Sequence, residues 1–325
     1  MYKSATKPVP AADGSGPAAE SRGLLNVITG RRPTPDRTPS DGSLLGPRDV
    51  LGDRIDEPAA PEAPVIEVAS LSKGLPTEGH WRGNPEVADL NGDGHLDIVA
   101  SIRRWDRDRP AEGLHVWLND GEGGWTLSVE GIDPTMGYGG AAVSDVDGDG
   151  LLDIAFSTHD YAPRVFKGDG TGKWTALPAS IEGGEVVSDV ALGDFDGDGN
   201  VDMAALGFFG GGIEFHAGDG FGFFHLYGRA MENHNFGAEV TLTDVEGDGV
   251  PEVAAVTELG LKFWRYDPVQ QDFVEVWQDE ARAPAVGGTQ VGLAFSDLDG
   301  DGVLEALVSG MSAPGHELRR LGRLT

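Results

Sequence analysis

Residues 144–157 read SDVDGDGLLDIAFS: aspartates at 145, 147, 149 and 153 alternate with glycines and run straight into an apolar stretch. The pattern returns as ADLNGDGHLDIVAS (88–101), GDFDGDGNVDMAAL (193–206), TDVEGDGVPEVAAV (243–256) and SDLDGDGVLEALVS (296–309). The first aspartate of each copy stands at 89, 145, 194, 244 and 297, so the steps are 56, 49, 50 and 53 residues. A regular period of this length is the mark of a chain built from one supersecondary unit used repeatedly.

Within each period the accessory features keep their order. An alternating strand such as AAVSDV or AEVTLTDV precedes the motif, and a β-branched, apolar strand such as LDIVAS follows it. Next comes a short strand ending in a glycine-rich turn, as in LHVWLNDGEGGW, RVFKGDGTGKW and IEFHAGDGFGFF; the fourth period, LKFWRYDPVQQDF, keeps the strand and replaces the turn. The period closes on a strand that begins at an aromatic, Trp125, Trp174, Phe223-Phe224 or Phe273, whose fixed place predicts packing between neighbouring sheets. Four strands per period predict an all-β protein, a β-propeller of five four-stranded blades. The fifth period has no closing strand of its own, and PVIEVAS (64–70) resembles FVEVW (273–277), so this N-terminal strand is expected to complete the last blade.

The first 63 residues read differently. Half of the 20 prolines fall in residues 1–64, mixed with Ser, Gly, Asp and Arg. Such a segment buries too little apolar surface to offset its ordering entropy, which predicts an extended Pro-rich arm ahead of a domain at 64–325. Its short apolar islands, such as Leu24-Leu25-Asn26-Val27-Ile28, suit docking on a partner.

Composition narrows the function. With 24 Lys+Arg against 54 Asp+Glu the formal charge is −30, which repels nucleic acid and anionic lipid. There is no cysteine, so disulfides, thiolate metal sites and cysteine nucleophiles are excluded. No apolar run reaches the roughly 20 residues that span a bilayer, and MYKSATKPVPAADG lacks the apolar core of a signal peptide.

In D-x-D-G-D-G-x-x-D the side chains at positions 1, 3 and 5 and the carbonyl at position 7 converge on one point, because glycine at position 6 permits the sharp turn. The first half of an EF-hand loop works this way, and Ca²⁺ takes six to eight hard oxygens in flexible geometry. The predicted ligand sets are Asp89, Asn91, Asp93, His95 carbonyl and Asp97; Asp145, Asp147, Asp149, Leu151 carbonyl and Asp153; Asp194, Asp196, Asp198, Asn200 carbonyl and Asp202; Asp244, Glu246, Asp248, Val250 carbonyl and Glu252; and Asp297, Asp299, Asp301, Val303 carbonyl and Glu305. Glu246 at position 3 makes the fourth the expected weakest. Asp and Gly favour turns by themselves, but five copies of such crowded carboxylates repel strongly without an ion. Up to five Ca²⁺ are expected, bringing the formal charge from −30 to −20.

These loops resemble the FG-GAP/VCBS repeat family, the calcium-binding propeller blades of integrin alpha-subunit heads and of many bacterial surface and secreted proteins. Its FG pair has counterparts in Tyr138-Gly139 and Phe236-Gly237. The resemblance implies that the metal loops are structural and lie on one face, with partners held on the other. That opposite face would carry Arg103, Arg104, Trp105 and Arg107 of SIRRWDRDRPAEG, together with Trp81, Tyr161, Phe208, Phe209 and Phe236. Arg and aromatic residues are common interface anchors.

No histidine has a second ligand at zinc spacing, and neither G-x-S-x-G nor a phosphate loop occurs. The expected protein is therefore a non-catalytic, calcium-stabilised interaction or scaffolding subunit, placed outside the cytoplasm where millimolar Ca²⁺ fills even weak sites. It would bind a protein partner through the arm and the opposite face; the alternative is a carbohydrate-binding or polysaccharide-processing protein.

Overall fold

The computed structural model describes residues 72–77, 81–102, 113–133, 137, 139–158, 162–178, 181, 186–207, 211–230, 236–257, 260–279, 291–310 and 317–320. The arm at 1–63 and the expected closing strand at 64–70 lie outside the described residues. All regular structure among them is β, in nineteen strands and no helix.

Each period folds into one antiparallel meander. The first sheet contains β1 (Trp81–Ala88), β2 (Asp97–Ile102), β3 (Leu114–Asn119) and β4 (Trp125–Leu127). The second contains β5 (Ala141–Ser144), β6 (Asp153–Phe156), β7 (Arg164–Gly168) and β8 (Trp174–Leu177). The third runs through β9 (Val187–Gly193), β10 (Asp202–Gly207), β11 (Ile213–Gly218) and β12 (Phe224–Ala230), and the fourth through β13 (Phe236–Thr243), β14 (Glu252–Thr257), β15 (Gly260–Asp267) and β16 (Asp272–Asp279). The fifth shows three strands, β17 (Val291–Ser296), β18 (Glu305–Gly310) and β19 (Glu317–Arg320). Four four-stranded sheets thus match the sequence expectation.

The sheets pack face to face in chain order, with the first strand of each against the first strand of the next. Period-2 alternation within a strand sends successive side chains to opposite neighbours. Ile154 and Phe156 enter a core shared with Val99, Leu114 and Val116 of the first sheet, whereas Ala155 joins Val187, Met203 and Phe224 of the third. Ala204, Leu206, Ile213 and Phe215 meet Val253, Ala255 and Trp264 of the fourth sheet, and Ala254, Val256 and Phe263 meet Leu293 and Ala306 of the fifth. Second strands are accordingly apolar on both faces, and β6 and β10 are buried along their whole length. The closing-strand aromatics fill these same layers: Trp174, Phe224 and Phe273 each pack into the core shared with the preceding sheet, as their spacing predicts.

Polar ties reinforce the layers. Ser101 Oγ donates to the Gly139 carbonyl (2.5 Å), so the glycine of the first FG-like pair marks a close approach; an added Cβ there would stand 2.2 Å from the Ser157 carbonyl oxygen. Asp189 of β9 accepts the Val240 N–H of β13 at 2.8 Å, and Glu239 of β13 accepts the Leu293 N–H of β17 at 2.8 Å.

Phe215 is fully buried and stacks on Phe273 with centroids 3.8 Å apart, whereas Phe221 at the tip of the β11–β12 turn is 74% exposed. Phe215→Ala is expected to lower stability by about 3–5 kcal/mol in denaturant titrations, and Phe221→Ser to stay within about 0.5 kcal/mol of the parent.

Candidate metal centres

Each acidic motif forms the connection between the first and second strands of its sheet, and all five loops share one hydrogen-bond scheme. The position-6 glycine N–H donates to Oδ2 of the first aspartate, at 2.8–2.9 Å for Gly94, Gly150, Gly199, Gly249 and Gly302. The position-7 N–H, from His95, Leu151, Asn200, Val250 or Val303, donates to Oδ1 of the position-5 aspartate at 2.7–3.0 Å. Position 6 sits at φ between +83° and +92° and position 4 between +71° and +79°, so both glycines are needed where the sequence reading required only the later one.

Position 9 does more than offer an oxygen. Asp97, Asp153, Asp202, Glu252 and Glu305 are almost fully buried, and one oxygen of each accepts the position-2 N–H at 2.8–3.0 Å. The other oxygen of the three aspartates accepts an N–H at the end of the third strand: Asn119 (2.8 Å), Gly168 (2.9 Å) and Gly218 (2.9 Å). The carboxylate therefore fastens loop to sheet, a role the spacing alone does not reveal.

The glycine-rich turns lie against the same loops. A Cβ added at Gly121, Gly170 or Gly220 would stand 2.4–2.9 Å from the side chain of His95, Leu151 or Asn200, the position-7 residues. Each turn is held by its own aspartate, with Asp120, Asp169 and Asp219 accepting two N–H bonds apiece at 2.7–3.1 Å.

Oxygens of positions 1, 3 and 9 converge to within 4.8 Å of one another in the second loop (Asp145, Asp147, Asp153), the third (Asp194, Asp196, Asp202) and the fifth (Asp297, Asp299, Glu305). These groups suit a hard, oxygen-bound cation. In the first loop position 3 is Asn91, whose amide donates to Asp93 Oδ2 at 3.0 Å. In the fourth, Glu246 is paired with Arg265. Asp147 Oδ1 of the second loop and Glu252 Oε1 of the fourth are buried without a hydrogen-bond donor, a demand that an ion could meet.

Electrostatics follow burial. Desolvation, with the neighbouring loop carboxylates adding to it, pushes Asp153 up to about 6 and Asp202 up to about 7, and raises Asp97 and Glu252. The exposed position-5 carboxyls move the other way: the His95 N–H holds Asp93 low, and the Lys167 ammonium does so for Asp149. A cation entering the third loop near neutral pH would therefore compete with the proton on Asp202.

The profile of the FG-GAP-like repeat matches residues 89–156, 145–205 and 244–308, more than half of the chain. The chain belongs to the FG-GAP-like repeat family. No curated protein matches this FG-GAP repeat chain. Among solved structures it is similar to a lectin of Agrocybe aegerita that recognises non-reducing terminal N-acetylglucosamine, at 18% identity over 74% of this chain and 65% of the lectin, TM-score 0.47. A V. cholerae biofilm matrix protein is similar at 22% identity over 74% of this chain and 37% of that protein, TM-score 0.39. The FG-GAP repeat chain therefore spans less than two thirds of either protein's length.

Of the expected partner-face residues, Arg103, Arg104, Trp105, Arg107, Tyr161, Phe208 and Phe209 lie outside the described residues. Phe236 begins β13. Trp81 begins β1, eight residues before Asp89, and meets Trp117 edge-on (centroids 5.1 Å apart) and His115 (5.4 Å).

Glu86 on β1, raised to about 7 by burial, joins Asp153 and Asp202 as a group whose folded pKa exceeds the unfolded value near 4. Groups of this sign stabilise the fold fully below the unfolded pKa and lose that contribution as pH rises through the folded one. In chelator, the melting temperature is therefore expected to rise between pH 7.5 and pH 5, and the rise to shrink in Glu86→Gln/Asp202→Asn. A flat profile in the parent would refute this assignment.

Proposed function

We propose that residues 64–325 form a closed five-bladed propeller stabilised by Ca²⁺, acting as a non-catalytic interaction or scaffolding subunit outside the cytoplasm. The convergence of oxygens from positions 1, 3 and 9 in the second, third and fifth loops is the observation that carries this reading. Ca²⁺ suits such sites better than Mg²⁺, which demands compact octahedral geometry and keeps its water.

Three features support ring closure. Burial and the charges of Glu239 and Glu86 raise Asp189 well above the carboxylate range; Glu86 and Asp189 belong to first strands two sheets apart, as expected where first strands gather around one axis. The first sheet turns Trp81, His115 and Trp117 away from the core that Leu114 and Val116 share with the second sheet, toward the place a fifth blade would take. Finally, the chain entering each of the first two sheets bonds the start of that sheet's fourth strand: Glu130 carbonyl accepts Trp174 N–H (2.9 Å), and Lys73 carbonyl accepts Trp125 N–H (2.8 Å). Because Glu130 follows the closing strand β4, the equivalent Lys73 follows residues 64–70 in the role of closing strand. The arm at 1–63 would then leave the ring at its seam and reach a protein partner, together with the arginine and aromatic loops opposite the metal loops.

Ca²⁺ removal by chelator is expected to lower the melting temperature and Ca²⁺ to restore it; a site held at 100 times its Kd contributes about 2.7 kcal/mol. An unchanged melting curve would overturn the metal reading. A chain starting at residue 72 is expected to melt below one starting at 64, and equal melting would overturn closure. If the chain starting at 64 captures partners as well as the full chain does, the arm has no role.

A further inference from the structure

The third strand of each sheet sets one residue across from the position-9 carboxylate. Continuing the observed registers by one residue puts Leu118 opposite Asp97, Lys167 opposite Asp153, Ala217 opposite Asp202 and Arg265 opposite Glu252; Arg320 pairs with Glu305. In the second and fourth sheets this residue delivers a cation to the loop. Lys167 Nζ contacts Asp147 Oδ2 and lies 2.8 Å from Asp149 Oδ2, at positions 3 and 5 of the ligand set. Arg265 Nη1 contacts Glu246 Oε2, at position 3. Leu118 and Ala217 bring no charge to the first and third loops.

We infer that Lys167 and Arg265 are tethered counter-cations that stand in the ion's place in the second and fourth loops, so that the first four loops fill in two tiers as free Ca²⁺ rises. The inference rests on the calcium reading proposed above. Loops at Asp89 and Asp194 have no cross-strand cation to displace and fill first. Those at Asp145 and Asp244 fill only when the side-chain cation swings out, because a divalent ion on the same oxygens would stand roughly 4 Å from it, where like charges repel even in water. Neither cation saturates its loop, since Asp147 Oδ1 and Glu252 Oε1 remain buried without a donor. These loops therefore stay metal sites, of lower affinity. Both side chains have long flexible stems that allow the exchange: Lys167 and Arg265 are each 35% exposed. In low Ca²⁺ the tethered cations relieve carboxylate repulsion in half of these four loops, which makes ion loading graded.

Equilibrium dialysis of the full chain against buffered free Ca²⁺ tests this directly. The parent should bind in two tiers. Lys167→Met and Arg265→Met should each move one ion from the weak tier to the tight one, an affinity gain of about tenfold or more, while lowering the melting temperature in chelator. Leu118→Lys should move one ion the opposite way, and it keeps the test decisive if a Met variant fails to fold, since it adds a cation without removing one. Isotherms of the variants that superimpose on a parent that does bind Ca²⁺ would overturn the tethered-cation inference and leave the calcium reading standing. Absence of bound ion in parent and variants alike would overturn the calcium reading and this inference with it.

Discussion

A carboxylate taken out of water at the start of each second strand is the constraint on which the rest of the structure depends. Burying such a charge is unfavourable unless donors or a cation meet it. Asp97, Asp153 and Asp202 meet the demand with two backbone N–H groups each, one from the loop and one from the third strand. Their position fixes the loop on the sheet, and in the second and third loops the carboxylates of positions 1 and 3 gather beside the one at position 9. In the fourth and fifth sheets glutamate replaces aspartate, and Glu252 keeps the loop bond but leaves Oε1 without a donor.

Around these joints β6 and β10 are buried along their whole length, and strands covered on both faces carry few polar residues. Layers built this way need ties where first strands meet, and the chain uses Asp189 and Glu239 as acceptors for N–H groups of the following sheet. Asp189 is nearly buried and close to other acidic groups, so it holds its proton far more tightly than an ordinary carboxyl. Acidic side chains therefore gather in two distinct places: in the loops between first and second strands, and among the first strands, where burial favours the protonated form.

Much of this was legible from residue order. The nine-residue spacing located every loop, the aromatics after the glycine-rich turns marked the interlayer packing, and the period gave the four-stranded unit. Glu246 stood out as an unusual third-position residue, although only the sheet reveals that it faces Arg265. Lys167 and Arg265 lie 14 and 13 residues beyond their position-9 partners, across a connection of variable length, so no fixed spacing flags them. Asp189 and Glu239 each stand five residues before a loop, yet the amides they cap are 51 and 54 residues away.

By itself the sequence determined the repeating unit, the positions of the acidic loops and the FG-GAP character, because these depend on spacing within a single turn or strand pair. Only the tertiary structure decided which carboxylates the fold itself meets with N–H donors or a side-chain cation and which oxygens it buries without one. That outcome depends on which third-strand residue a register places across from each buried carboxylate, and on how deeply neighbouring sheets exclude water from it. Both are properties of strands brought together, and neither is present in any one segment alone.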